Sequence, residues 1–209
     1  GENTTCKIRH IIHPMKLILC LFFVTIALAV WPGNKEPWFC HDINCPVFKS
    51  INKTDYELRT YTEKETWVGI TIQGTDLDSA MHTGFEALFQ YISGANVEKT
   101  KVEMTAPVRN YIIPGAGPFC KSNFTISFYL PFIWQDKTPP TPTGSGVSIM
   151  TVNPGTYAVT SFPGTATQVD ITQNAAKLAQ TLRSDGVDFD TTFYISAGYD
   201  PPYRVIDRH

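Results

Sequence analysis

Lys101-Val102-Glu103-Met104-Thr105-Ala106-Pro107-Val108 alternates apolar and polar residues. That pattern predicts a strand with one buried face, running over residues 101–113 and bent at Pro107, where the backbone donor is missing. Working outward, residues 56–62 and 65–73 read as two strands, the second with Val68, Ile70 and Ile72 on its core side. Gly74-Thr75-Asp76 breaks it, and Thr75 or Asp76 can cap a helix over residues 77–93. Leu77, Ala80, Met81, Phe85, Leu88, Phe89 and Ile92 give that helix its apolar face, and Gly94 ends it. Beyond the opening stretch, residues 124–132 read as a strand and 135–146, with three prolines, as a surface loop. The order then repeats. Residues 148–152 and 156–162 read as a hairpin around Asn153-Pro154-Gly155. A second helix covers 168–184, with Val169, Ala176, Leu178, Ala179 and Leu182 apolar, and strands follow over 191–197 and from 203 to 206. Hairpin, helix, strand, strand thus occurs twice, about 90 residues apart. This predicts an α+β domain with a pseudo-two-fold repeat, its antiparallel strands closing a distorted β-barrel with two packed helices.

At 209 residues and 43% hydrophobic content the chain can bury one sizeable core. Residues 1–14 read as an upstream segment without a structural role. Met15-Lys16, the apolar run over 17–29 and the small-x-small end Ala27-Leu28-Ala29 read as a signal peptide over 15–29. The run is short for a membrane span, so no stable anchor is expected after cleavage. Residues 30–54 form a Pro-rich, Cys-containing extension expected to be irregular, and 55–209 the folded domain. Residues 1–29 hold Lys7, Arg9, Lys16 and Glu2, so without them the formal charge moves from −2 to −4. No basic cluster remains to recommend a nucleic acid. The sequons at Asn52 and Asn123 fit a secreted glycoprotein. Cys40, Cys45 and Cys120 allow one disulfide and one free thiol; Cys40–Cys45 closes a short loop, and Cys120 to either is the alternative.

Catalytic signatures are missing. There is no Gly-x-Ser-x-Gly elbow and no His-x-x-x-His pair. Gly115-Ala116-Gly117 lacks the third glycine of a dinucleotide loop, and Asp185, Asp188 and Asp190 do not match a calcium loop. Cys40, His41 and Cys45 make a poor zinc set. The first helix is apolar over a wide arc, with His82, Phe85 and Phe89 on one face and Met81, Phe85 and Leu88 on the next.

The octapeptide, as K-x-x-M-T-x-P-V, resembles the signature of the SOUL haem-binding protein family. Four further segments agree in order: Tyr56-Glu57-Leu58-Arg59, residues 78–91, residues 124–131 (Phe-Thr-Ile-Ser-Phe-Tyr-Leu-Pro) and Ala197-Gly198-Tyr199-Asp200-Pro201-Pro202. The resemblance covers roughly residues 45–209. It implies the same barrel, a non-catalytic binder of haem or another tetrapyrrole, and a shallow groove on the first helix. Carried over residue by residue, the groove takes Met81, His82, Phe85, Phe89 and Gln90, with Tyr203 and Arg204 near the final strands. His82 and Gln90 stand where some members have basic residues, and Arg204 keeps a basic propionate partner. Where some members have a histidine considered an iron ligand, this chain has Thr60, which leaves His82 as the axial-ligand candidate; the alternative is weak binding by stacking and propionate contacts without strong axial ligation. The family continues past Arg208-His209 with a further strand. The other readings are a binder of another flat apolar ligand, or a secreted interaction module using Leu178, Leu182 and Asp185 on the second helix.

Overall fold

The computed structural model describes residues 37–40, 42–117, 120–163 and 166–199. In chain order they form β1 (Lys49–Asn52), β2 (Glu57–Tyr61), β3 (Glu65–Gly74), α1 (Leu77–Ile92), β4 (Val108–Ile113), β5 (Ser122–Tyr129), β6 (Val147–Val152), β7 (Gly155–Val159), α2 (Gln168–Ser184) and β8 (Tyr194–Gly198). All strand pairs are antiparallel. Five strands make one sheet in the order β6-β3-β5-β4-β8, and three make another, β1-β2-β7. The α+β class holds. No closed barrel is formed among the described residues: the strands make two sheets, with β7 and β8 each an edge strand.

The helices begin where the sequence supplies side-chain acceptors. Asp76 Oδ1 accepts from the Ser79 backbone N–H at 2.6 Å, capping α1. Thr167 and Asp170 cap α2 reciprocally. The two starts are also tied together: Gln168 Oε1 accepts from Leu77 N–H at 2.6 Å, and Gln168 N–H donates to Asp78 Oδ1 at 2.9 Å. The chain leaves α1 through Gly94 at φ 108°, and buried Asn96 then donates to the carbonyls of Tyr91 and Thr100.

Because side chains alternate across a strand, the large sheet has two distinct faces. Val68, Ile126, Phe128, Ile112 and Phe124 join Leu77, Ala80, Leu88, Tyr91 and Ile92 of α1 and Ile171 of α2 in the main core. Gly84 lets α1 lie directly on β5, since a Cβ there would sit 2.8 Å from the Ile126 side chain. The opposite face carries Trp67, Arg109 and Tyr111, with Arg109 stacked over both rings.

Four further expectations need correction. Residues 101–107 are not strand; β4 starts at Val108, after the cis Ala106–Pro107 bond. Their backbone is used elsewhere, Val102 N–H donating to Ile92 O and Ala106 N–H to Asn44 O. Neither expected hairpin is formed: β2 pairs with β1 and β7 while β3 pairs with β5 and β6, and across 147–159 β6 pairs with β3 and β7 with β2, so the Asn153-Pro154 link passes the chain from one sheet to the other. The extension is not wholly irregular, because β1 pairs with β2. On α2 the buried positions are Ile171 and Leu182, while Val169 is 61% exposed. The Cys40–Cys45 disulfide is formed and Cys120 is free and exposed.

Candidate functional site

A continuous cleft of about 2040 Å³ opens around the β4 and β8 end of the large sheet. Met81, His82, Phe85, Phe89 and Gln90 of α1 all line it. Helix periodicity places them there, and the packing of Leu88 and Ala80 into the core turns that arc outward. Phe85 rests edge-on against Phe128, with centroids 5.3 Å apart, and is fixed by it. Phe89 stacks on Phe85 at 6.0 Å with the rings only 12° from parallel, and stays 51% exposed. The pair forms an aromatic ledge anchored at one end and open at the other. His82 is exposed, its Nε2 3.7 Å from Glu86 Oε1, too long for a hydrogen bond to hold the ring. Across the cleft on this side of the sheet, Asn110 donates to Ser196 Oγ at 3.0 Å, and its buried Oδ1 has no partner among the described residues. α2 contributes Ile171, Leu178 and Leu182 to the same cleft.

The far side of β4 meets the three-stranded sheet. Here Arg59, Tyr61, Glu65, Trp67, Arg109, Tyr157 and Tyr199 line the cleft. The Nε and one terminal nitrogen of Arg59 both reach Glu57 Oε2 at 2.8 Å, and the guanidinium lies over Phe39 and Phe48. Glu65 accepts from Trp67 Nε1–H at 3.0 Å. Burial lifts its carboxyl to about 7, against the opposing pull of the Trp67 hydrogen bond and the Arg109 charge. Burial draws Arg109 below its ordinary value, opposed by Tyr157, Glu65, Tyr111 and Tyr61. Desolvation pushes Tyr61 and Tyr199 upward.

The model of the SOUL heme-binding protein family matches residues 43–209. The chain belongs to the SOUL family. Among its relatives, "Heme-binding protein 2" of Homo sapiens is 40% identical over 183 residues, covering 85% of this chain and 88% of that protein. The Mus musculus protein of the same name is 38% identical over 187 residues, covering 87% and 88%. "Heme-binding protein 1" of Xenopus laevis is 29% identical over 164 residues, covering 77% and 85%.

Of the residues expected in the groove of this SOUL chain, the five on α1 are brought together. Tyr203 and Arg204 lie outside the described residues, as do the 15–29 segment and His41. Thr60 shares a hydrogen bond with Thr156 across β2 and β7, so it serves the sheet. Of the α2 residues named for an interaction surface, Leu182 is buried, Leu178 lines the cleft and Asp185 is exposed at the end of the helix. Asn52 is exposed at the end of β1, whereas Asn123 sits within β5. Sequence reading missed the inner set of Glu65, Trp67, Arg109 and Tyr157. Charged side chains in a strand default to solvent. The one available signal was that Glu65 and Trp67 keep step on one strand, as do Arg109 and Tyr111 on another.

Proposed function

We propose that this chain is a non-catalytic tetrapyrrole-binding module that seats haem on the α1 side of the cleft. The observation that carries the reading is the Phe85–Phe89 ledge, near-parallel, half in solvent and opening onto a large cleft, in a chain of the SOUL heme-binding family. A flat conjugated ligand is matched by a flat aromatic surface, and Met81 with Ile171, Leu178 and Leu182 of α2 adds apolar lining. The donor set fits the group. Phe85, Phe89 and Met81 would hold the macrocycle, His82 is an imidazole not committed to another bond, and Gln90 offers an amide at the rim. Arg204, beside Tyr203, is the proposed propionate partner. When bound, haem supplies an iron that accepts axial ligands and two carboxylates that need donors.

Spectral titration of the protein with haemin tests this. Saturable binding is expected, with the Soret band shifted and affinity lowered in His82→Ala. Arg204→Ala is expected to weaken binding by about 1 kcal/mol. An unshifted Soret band in His82→Ala removes the histidine from the iron. Binding identical in both variants and wild type moves the ligand elsewhere, and no saturable binding by wild type refutes the function.

We also propose that the protein is secreted. The short apolar run before residue 30, the Cys40–Cys45 disulfide and the exposed Asn52 sequon support this. Mass spectrometry of medium from secretory cells should find a glycosylated chain beginning near Val30. An intact membrane-retained chain would contradict it.

A further inference from the structure

We infer that the inner side of the cleft, between the two sheets, is a second ligand site, taking an amphipathic carboxylate whose head is held by Arg109. Register separates this chamber from the α1 ledge. Val108, Asn110 and Ile112 of β4 pair with Phe128, Ile126 and Phe124 on the helix side, whereas Arg109 and Tyr111 pair with Ser127 and Thr125 on the other.

The two arginines in this chamber differ in how their charge is met. Arg59 is neutralised locally by Glu57 and also lies 3.5 Å from the Tyr199 hydroxyl. The Arg109 guanidinium makes no hydrogen bond or ion pair among the described residues. Its described contacts are the faces of Trp67 and Tyr111, with centroids 5.6 and 5.4 Å away. Those rings leave the edge of the guanidinium, where its N–H donors point, available to an acceptor. Glu65 is close enough to act on Arg109 through space but forms no ion pair with it, and its Oε2 already accepts from Trp67. With its carboxyl lifted to about 7, Glu65 supplies less than a full counter-charge at neutral pH.

A desolvated, unneutralised guanidinium calls for an anion. Among the described residues on this side of β4, Arg109 is the cation without an ion pair, which matches the single charge of a carboxylate; a phosphate dianion would require a second, which Arg59 does not offer. The walls, Trp67, Tyr61, Tyr157, Ile195 and Ala197, call for an apolar body behind that head. Both a free fatty acid and the propionate arm of a tetrapyrrole present this chemistry. The inference does not rest on haem being the ligand of the α1 ledge.

The test uses the full chain, with a fluorescent dansyl-undecanoate as probe and oleate as competitor. Saturable probe binding is expected, displaced by oleate and not by oleyl alcohol, which has the same body without the charge. Arg109→Met should weaken oleate about tenfold, and Arg109→Lys should recover part of the loss. Parallel haemin titrations identify the source of the carboxylate. An unchanged haemin isotherm in Arg109→Met assigns the site to fatty acids, and a matching loss assigns it to a propionate. Near-UV circular dichroism checks the fold. If Arg109→Met does not fold, Arg109→Lys and the alcohol competition on wild type decide. Displacement by oleyl alcohol as effective as by oleate overturns the inference. So does a folded Arg109→Met that binds both oleate and haemin as wild type does, or a wild type that binds neither.

Discussion

Glu65 is a residue whose chemistry departs from its sequence expectation within the physiological pH range. Only 8% of it is exposed, and its folded value of about 7 lies above the 4.5 of the free side chain. The native state therefore holds this proton more tightly than the unfolded chain does. The stabilisation is complete below about pH 4.5 and is lost as pH rises through 7. Glu65→Gln keeps an acceptor for Trp67 and removes the titration. Its melting temperature should stay level between pH 5 and 8 relative to wild type, which should fall on the order of a few kcal/mol in stability over that window. Parallel curves would show that Glu65 titrates normally. The carboxylates held low by hydrogen bonds, Asp76, Glu98, Asp170 and Asp190, act in the opposite sense and at more acidic pH, so they do not obscure the comparison. Nothing local in the sequence around Thr66 announces this burial, which arises only when β3 is covered by the other sheet.

At the level of elements, two contacts set where α1 lies. Glycine inside a helix ordinarily costs about 1 kcal/mol against alanine. At Gly84 the sign should reverse, because the added Cβ meets Ile126 at 2.8 Å and both partners are fully buried. Gly84→Ala is expected to lose about 1–3 kcal/mol in urea unfolding. A stabilised variant would mean that the helix can lift from β5 at little cost. Gln168→Ala removes the acceptor for Leu77 N–H and should cost about 1 kcal/mol by thermal melting, a loss typical of an N-cap. Both helices were legible from the 3.6-residue spacing, and α2 was placed to the residue. Its phase was less so. Val169 looks like core by type, yet Ile171, two residues on, is the side chain that reaches it. Strands β2, β3 and β5 were legible for a like reason. The break at Asn153-Pro154 was legible, since β6 ends at Val152 and β7 starts at Gly155, but such a break does not fix which sheet receives the next strand.

Across the whole molecule, the N-terminal extension is fastened by more than its strand. Cys40, Cys45 and Ala106 form a small second core with Phe39, Ile43 and Tyr199 packed on it, and Arg59 lies over Phe39 and Phe48. Replacing both Cys40 and Cys45 by serine should cost about 2 kcal/mol, the loop-closure value for so short a ring, measured by denaturant unfolding with Cys120 alkylated in both samples. An unchanged midpoint would show that aromatic packing alone secures the extension. The α+β class and the strand, strand, helix, strand order shared by β2-β3-α1-β4 and β6-β7-α2-β8 could be read from periodicity, because each half repeats it locally. The division into two sheets could not, since it depends on pairings more than 80 residues apart, such as Glu65 with Val152. A last consequence follows from β4, whose even-numbered residues serve the helix side and whose odd-numbered residues serve the space between the sheets. One short strand acts as a party wall. A substitution at position 109 or 111 and one at 110 or 112 are neighbours in the chain but tenants of different rooms. Changes in one room can accumulate without disturbing the other, and only an insertion or deletion within the strand would exchange the occupants of both at once.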